Sequence, residues 1–134
     1  MPLTAPINCP CGSGNATADC CGPLIFEGQS APTAERLMRS RYTAHVVQAI
    51  DYLWQTWSVS SRNRTSKEAI DDWARSCHWL GLDILACEGG GADDDTGTVT
   101  FSARYQLGQQ THHHLEKSLF RRESGHWRYI DHCG

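Results

Sequence analysis

The chain has no long hydrophobic run and no recognisable targeting segment. None of its apolar stretches approaches the roughly 18 residues that a membrane-spanning helix needs. The residues after Met1 lack the basic start and apolar middle of a secretory signal. We therefore expect a soluble cytoplasmic protein that does not bind membranes. With 40% hydrophobic residues and five Trp, the 134-residue chain is long enough for one domain with its own core.

Positive charge is also scarce. Twelve Lys and Arg stand against 15 Asp and Glu, which gives a net charge of −3, and there is no long basic run. Because phosphate contacts supply most non-specific nucleic-acid affinity, binding to RNA or DNA is not the default expectation. Arg36, Arg39 and Arg41 could form a small basic patch. The interpretation we favour is that these arginines are solvated or pair with Glu35 and Asp51.

Cysteine is abundant, but its pattern argues against disulfide bonds. The chain has seven cysteines, an odd number, and no secretory signal. Four of them share one short segment in the spacing C-x-C-x8-C-C, which is too short to build an apolar core. Four thiolates match the tetrahedral, soft-ligand preference of zinc. The sequence therefore predicts a Zn²⁺ site formed by Cys9, Cys11, Cys20 and Cys21, and the alternatives are a disulfide staple or free thiols.

The predicted zinc site is structural rather than catalytic. Four thiolates fill the coordination shell and leave no position for water, and the segment contains no Glu or His to act as a general base. Gly12 and Gly14 can take positive φ, so the chain can curl around the sulfurs. Adjacent Cys20 and Cys21 diverge in an extended chain, so the backbone must bend there for both to reach one ion.

The cysteine segment carries a family resemblance. Cys-Pro-Cys-Gly-Ser-Gly at 9–14, followed by Cys-Cys-Gly at 20–22, resembles the SEC-C motif, a zinc module at the C-terminus of the SecA translocase ATPase. Residues 22–57 and 113–131 resemble the bacterial YchJ family. The YchJ resemblance implies a cone-shaped nuclear-transport-factor-like (NTF2-like) fold, and the SEC-C resemblance suggests contact with a protein or the ribosome through the knuckle. The translocase motif has His where this chain has Cys21, so the SecB chaperone and the ribosome are carried over only as hypotheses.

Residue patterns divide the chain into a flexible leader (1–8), a zinc knuckle (9–23) and an α+β domain (24–134). Thr33 is a good N-cap for a helix, and apolar residues continue at helical spacing as far as Trp57. We expect two helices with a break at 43–45. A polar loop follows at 58–64, and the S/T-x-x-E pattern at 65–68 is a capping box that starts a third helix. Its Ile70, Trp73 and Ala74 should face inward.

The second half of the chain has strand periodicity. We predict strands at 79–87, 98–107, 113–122 and 127–131, with a glycine- and aspartate-rich loop at 89–95 and a tight turn at 123–126. Helices followed by antiparallel strands imply an α+β fold with helices packed on one face of a curved sheet. Cys77 and Cys87 should be buried as small apolar side chains, whereas His132 and Cys133 could be the remnant of a second knuckle.

A curved sheet closed by helices encloses a pocket, so inward polar residues are candidates for catalysis. Asp83, Tyr105, His114 and Glu116 are the candidates in the predicted strands. A buried carboxyl group has a raised pKa and can move a proton, and Tyr can stabilise an oxyanion. Each residue also has a plain structural role, and the polarity of the 113–122 strand does not tell which face is inside. Successive side chains of a strand point to opposite faces of the sheet, so we do not expect His112, His113 and His114 to bind one ion together.

Three hypotheses for function follow. The one we favour is a non-enzymatic protein in which structural zinc orders a recognition knuckle on a domain that binds a small ligand or a partner. The second is a cofactor-free isomerase, dehydratase or hydrolase that uses the sheet pocket. The third is a nucleic-acid or ribosome adaptor built from the knuckle and the nearby arginines, whose binding would fall steeply with salt.

Overall fold

Four helices precede four strands in the structure, a computed structural model that describes residues 6–132. The elements are α1 (Gly22–Phe26), α2 (Ala34–Val46), α3 (Ile50–Gln55), α4 (Lys67–Ser76), β1 (His78–Gly89), β2 (Thr96–Leu107), β3 (Gln110–Glu123) and β4 (His126–His132). Short 3₁₀ turns occupy Thr17–Asp19 and Val59–Arg64, the second within the predicted polar loop. No helix in the described part of the chain is long and apolar enough to cross a membrane.

The strands form one antiparallel sheet in the order β1-β2-β3-β4. This confirms the predicted α+β class and the four-stranded sheet. In the pairing of β2 with β3, Phe101 lies opposite Glu116 and Ala103 lies opposite His114. Because Phe101 and Ala103 are buried, their partners on β3 face the same side of the sheet. The inward face of β3 is therefore the one that carries His114, Glu116, Ser118 and Phe120.

Strand β1 departs from the expected alternation at two irregularities. The register with β2 shifts between Trp79 and Gly81 and again between Ile84 and Ala86. A bulge adds a residue and turns the following side chains to the other face. Leu82 is consequently buried, while Leu80 and Leu85 are exposed. Cys87, which we predicted to be buried, is exposed at the far end of this strand, whereas Cys77 is buried as predicted.

Helix α2 begins as predicted but ends later. The Thr33 hydroxyl accepts a hydrogen bond from the Arg36 backbone N–H at 3.1 Å, which is an N-cap. The break expected at 43–45 is wrong, because Thr43 and Ala44 are fully buried within the helix. The chain turns instead at Gln48, whose φ is 61°. Gln rarely adopts this left-handed conformation, so its residue type gave no signal of the turn.

Helix α4 is capped by Ser66. Its hydroxyl accepts from the Ala69 backbone N–H at 3.0 Å, so the predicted capping box from Thr65 to Glu68 is one residue out of register. Ile70 and Ala74 face the interior as predicted. Trp73 is 40% exposed, and its ring nevertheless makes edge contacts with Trp79 and Tyr105. The helix thus presents an aromatic edge to the sheet.

The cysteine segment belongs to the main hydrophobic core. Its four cysteines are buried in one cluster with Leu37 and Tyr42 of α2 and with Val99 and Phe120 of the sheet. A second cluster, which includes Ala44, Leu53 and Ile70, packs between α2, α3 and α4. The Ile7 carbonyl accepts a hydrogen bond from the Thr17 backbone N–H, and Asn8 forms an isolated antiparallel β-bridge with Ala16. The end of the predicted leader therefore pairs with the knuckle. Residues 1–5 and the predicted remnant site at Cys133 lie outside the described residues.

Candidate functional site

The predicted metal ligands come together. The Sγ atoms of Cys9, Cys11, Cys20 and Cys21 all lie within 4.8 Å of one another, and each residue is at most 7% exposed. The distance is 3.6 Å from Cys11 to Cys20 and 3.9 Å from Cys20 to Cys21. These distances are far from the roughly 2.05 Å of a disulfide bond. Four sulfurs around a tetrahedral centre, each about 2.3 Å from the ion, would be about 3.8 Å apart, so the cluster has the size of a metal site.

Local backbone geometry produces the cluster. Gly12 and Gly14 have φ values of 80° and 86°, so the first turn uses the freedom expected of these glycines. Cys20 follows the 3₁₀ turn with φ −128° and ψ −99°, and Cys21 is the N-terminal cap residue of α1. This change of direction between neighbouring residues supplies the bend that two adjacent ligands require.

The surroundings of the sulfurs favour ionisation of Cys11, whereas burial raises the pKa of Cys20, and hydrogen bonds to Cys11 and Cys9 raise the pKa of Cys21. Hydrogen bonds from Cys21 and Cys9 lower the pKa of the Cys11 thiol, although burial acts in the opposite direction. The Arg39 guanidinium lies 4.0 Å from the Cys11 sulfur. Thiolate is the form that binds metal. In the described part of the chain, no other group of three or more His, Cys, Asp or Glu side chains is close enough to hold an ion, and the three consecutive histidines do not form such a group.

Helix α2 fastens the knuckle to the domain. Arg39 donates from Nη1 to the carbonyl of Cys11 at 2.8 Å, and Arg36 donates from Nη2 to the carbonyl of Cys20 at 3.0 Å. Arg39 also pairs with Glu35 at 2.9 Å. Arg41, the third member of the suggested basic patch, is buried elsewhere. These three arginines therefore do not form a joint exposed surface.

A cavity of about 350 Å³ lies between α2, α4 and the inner face of the sheet. Tyr105, His114 and Glu116, three of the four candidate pocket residues, line it. Asp83 does not, because it lies 58% exposed on the outer side of β1 and pairs with Arg104 at 3.4 Å. The sequence thus identified three cavity residues and misplaced one.

Glu116 is the centre of a hydrogen-bond network. Its carboxylate accepts from His114 at 2.8 Å, from the Ser118 hydroxyl at 2.5 Å and from the Tyr129 hydroxyl at 3.0 Å. Burial alone would raise the pKa of Glu116, but these three donors lower it to about 2. The expectation of a raised carboxyl pKa is therefore wrong for this residue. Glu116 is a fixed anion, and its hydrogen bond raises the pKa of His114.

Two cavity residues on α2 were not selected from the sequence. Arg41 lines the cavity and is 5% exposed, and burial lowers its pKa to about 10. His45 lies one turn further along, where burial and the nearby charge of Arg41 lower its pKa to about 4. Its Nδ1 donates to the Arg41 carbonyl at 2.9 Å, so Nε2 keeps a free lone pair. Helical spacing from Met38 and Tyr42 was the available signal that both side chains face inward.

Aromatic rings form the wall opposite these polar groups. The ring centroids of Trp73 and Tyr105 are 5.2 Å apart, and those of Trp79 and Tyr105 are 5.6 Å apart. His45 contacts Trp79 with a centroid distance of 5.3 Å. Edge and tilted contacts of this kind fix the rings relative to one another. The cavity therefore combines a rigid apolar wall with one neutral imidazole, one buried cation and one fully bonded carboxylate.

These features define a class of protein, an NTF2-like α+β domain preceded by a SEC-C-type cysteine cluster. A family model described as "YchJ, middle NTF2-like domain" matches residues 33–132. The chain belongs to this YchJ family.

Relatives and solved structures agree with this assignment. UPF0225 protein GSU1048 of Geobacter sulfurreducens is 42% identical over 128 residues, which cover 94% of this chain and 78% of that protein. The solution structure of RPA3114, a SEC-C motif containing protein from Rhodopseudomonas palustris, has a TM-score of 0.85 at 35% identity and covers 95% of this chain and 98% of that one. A SEC-C motif containing protein from Psychrobacter arcticus, a crystal structure, has a TM-score of 0.78 at 26% identity and covers 96% and 81%.

Proposed function

We propose that this chain is a non-enzymatic binding protein whose domain is ordered by one structural zinc ion. Cys9, Cys11, Cys20 and Cys21 hold the ion, and the cavity behind the knuckle receives a small ligand. The observation that carries the proposal is the set of four buried sulfurs within 4.8 Å of one another. Without a metal, only apolar packing and weak thiol hydrogen bonds would keep four sulfurs this close together.

Zinc is the ion that best fits this donor set. A shell of four thiolates suits tetrahedral Zn²⁺, and an iron ion is the alternative with the same ligands. A complete shell has no site for water or substrate, so the metal supplies folding energy rather than chemistry. The two solved neighbours are described as SEC-C motif containing proteins, which supports a common design of the knuckle.

Metal analysis of the purified protein tests the proposal. We expect about one equivalent of zinc per chain in protein prepared without added metal. Cys11→Ser should reduce the zinc content to a small fraction, whereas Cys77→Ser should leave it unchanged, because Cys77 is a buried thiol outside the cluster. Less than about half an equivalent of zinc, with no iron, would refute the site. Comparison of Cys9→Ser with Cys21→Ser tests the fourth ligand, since both should lose the metal.

A second candidate function is catalysis in the cavity. The observation that favours it is the convergence of Tyr105, His114 and Glu116 on one cavity. Glu116 is a poor base because three donors occupy it, so His45, neutral and open at Nε2, is the better general base. An isomerase, dehydratase or hydrolase mechanism would use His45 for proton transfer and Tyr105 to stabilise an oxyanion.

Turnover assays separate catalysis from binding. A panel of esters, epoxides and β-hydroxy ketones, followed by NMR, should show turnover that His45→Gln abolishes if the cavity is an active site. His113→Gln is the matched control, because His113 is not among the residues that line the cavity. Turnover that survives His45→Gln would exclude His45 as the base, and a lack of turnover across the panel would favour binding alone.

A further inference from the structure

We propose that the ligand of the cavity is a small, flat, apolar molecule with one carboxylate group, and that Arg41 binds this carboxylate. The inference deepens the proposed function and rests on one part of it, that the cavity is a ligand site. It does not depend on which metal the knuckle binds.

Arg41 is a buried cation held in one orientation. Its Nη1 donates to the carbonyl of Leu53 at 3.0 Å and to the Thr56 hydroxyl at 2.6 Å. The guanidinium lies over the rings of Trp57 and Tyr129, at 5.0 and 4.9 Å from their centroids. These contacts place the guanidinium on the wall of the cavity and fix its plane. The cation is therefore preorganised and loses little freedom when an anion binds.

The remaining donors of Arg41 have no protein partner. Within residues 6–132, the hydrogen bonds of this side chain are those of Nη1, and no carboxylate lies within ion-pairing distance of the guanidinium. Its Nε and Nη2 atoms are not among the fully enclosed nitrogens without a partner, which belong to Arg36, Arg104 and Arg128. They therefore keep some accessible surface, and Arg41 lines the cavity. The charge of Glu116 acts on Arg41, but Glu116 is bonded to His114, Ser118 and Tyr129 and not to the guanidinium. An anion in the cavity that accepts from the remaining donors of Arg41 would therefore complete the site.

The carboxylate of Glu116 is the charge of the cavity that opposes an anion, and protonation of its partner His114 compensates it. Glu116 is the carboxylate that lines the cavity, and its oxygens are occupied by His114, Ser118 and Tyr129. When His114 is protonated, the pair is neutral and Arg41 supplies the net charge of the cavity. His45 remains neutral, because its pKa lies near 4, and its open Nε2 can accept a hydrogen bond from an –OH or –NH group on the same ligand.

The walls and the size of the cavity limit the rest of the ligand. Trp73, Trp79 and Tyr105 present aromatic surfaces in contact with one another, which suits a flat apolar skeleton. A volume of about 350 Å³ is at the small end of the range for ligand pockets, about 300–1,000 Å³. A single guanidinium matches a monoanion in two parallel hydrogen bonds. A phosphate, with about twice the charge, would need a second cation, so we favour a carboxylate.

Three isosteric probes test the charge preference in the unmodified protein. These are 2-naphthoate (anionic), 2-naphthamide (neutral) and 2-naphthylmethylammonium (cationic), measured by calorimetry, with NMR of the Trp73 and Trp79 indole N–H groups to locate binding. We expect the naphthoate to bind about tenfold or more tightly than the amide, because charge-assisted hydrogen bonds are the stronger ones. The ammonium probe should bind most weakly.

Variants attribute the preference to Arg41. Arg41→Met should abolish the advantage of the naphthoate over the amide. Arg62→Met is the matched control, because Arg62 also stacks on a Trp ring, at 5.2 Å from Trp54, but does not line the cavity. Trp73→Ala should weaken all three probes by a similar factor, which provides a second variant if Arg41→Met does not fold. If Trp73→Ala lost binding of the amide probe alone, the proposal that Trp73 forms part of the apolar wall of the ligand site would be contradicted.

The outcomes separate the inference from the function on which it rests. If the amide or ammonium probe binds in the cavity as tightly as the naphthoate, the cavity is a ligand site but the carboxylate proposal is overturned. If no probe shifts the Trp73 or Trp79 signals, both the cavity as a ligand site and the carboxylate proposal fail. If the naphthoate preference persists in folded Arg41→Met, Arg41 is not the anion-binding residue.

Discussion

Individual residues in the cavity show how much their surroundings change their chemistry. Glu116 and His45 are both titratable groups enclosed by protein, yet neither has its ordinary pKa. Three hydrogen-bond donors stabilise the charged form of Glu116, and burial beside Arg41 stabilises the neutral form of His45. The sequence indicates that such residues can face inward, but the direction of each pKa change depends on partners from other elements, such as Tyr129 on β4.

The pair of His114 and Glu116 makes a prediction about pH. The Glu116 hydrogen bond raises the pKa of His114, so Glu116→Gln should lower it toward the ordinary value of 6.5. Because the folded-state pKa is raised, the stabilisation by protonated His114 is complete below 6.5 and is lost as the pH rises through the folded-state pKa. The free energy of unfolding of wild type should therefore exceed that of His114→Gln by a larger margin at pH 6 than at pH 8. The two margins should differ by about 0.5 kcal/mol at this partly exposed site.

An NMR titration of the His114 ring measures the effect directly. Glu88→Gln is the control, since Glu88 is an exposed glutamate that pairs with Lys117 at 3.0 Å and should not alter the titration of His114. An unchanged His114 pKa in Glu116→Gln would show that the pair is not formed in solution.

At the level of elements, local sequence signals predicted the type of a helix or strand and the residue at which it begins better than the residue at which it ends. Thr33 could be recognised as an N-cap because its hydroxyl acts within one turn, and the β3–β4 turn could be recognised from Ser124 and Gly125, which both have positive φ. The turn at Gln48 had no such signal, because burial of Thr43 and Ala44 by distant residues sets the length of α2. The bulges in β1 likewise depend on its partner strand.

Ser66 provides the prediction at this scale. Its hydroxyl caps α4, so Ser66→Ala should destabilise the protein by about 1 kcal/mol in urea unfolding. Glu68→Ala should lower the free energy of unfolding by no more than about 0.5 kcal/mol, because Glu68 stabilises the helix only through its interaction with the helix dipole. If Glu68→Ala is the more harmful change, the capping box suggested by the sequence is present after all.

At the scale of the whole molecule, the knuckle and the domain share a core. The sequence suggested a leader, a knuckle and a domain in series, since the cysteines are close together in the chain. In the fold, Cys11 and Cys21 are completely buried in the same cluster as Leu37 and Phe120. A methyl group added at Gly12 would approach the Leu82 carbonyl of β1 to 3.1 Å, so the knuckle lies directly against the sheet. Contacts between distant parts of the chain produce this arrangement, and local patterns do not reveal it.

Removal of the proposed zinc ion should therefore affect the domain as well as the knuckle. Zinc binding by small cysteine modules is worth on the order of 10–16 kcal/mol, comparable to the whole stability of a domain of this size, about 5–15 kcal/mol. The cavity is formed partly by Met38 and Tyr42 of α2, the helix to which the knuckle is fastened. Loss of the metal should consequently loosen the cavity.

The most direct measurement is amide hydrogen exchange before and after zinc is removed with a chelator under reducing conditions. We expect faster exchange, by about tenfold or more, in α2 and at Val99 and Phe101 of β2 as well as in residues 9–23. Protein reloaded with zinc should recover the original protection. Faster exchange confined to residues 9–23, with α2 and β2 unchanged, would contradict the claim that the metal orders the domain.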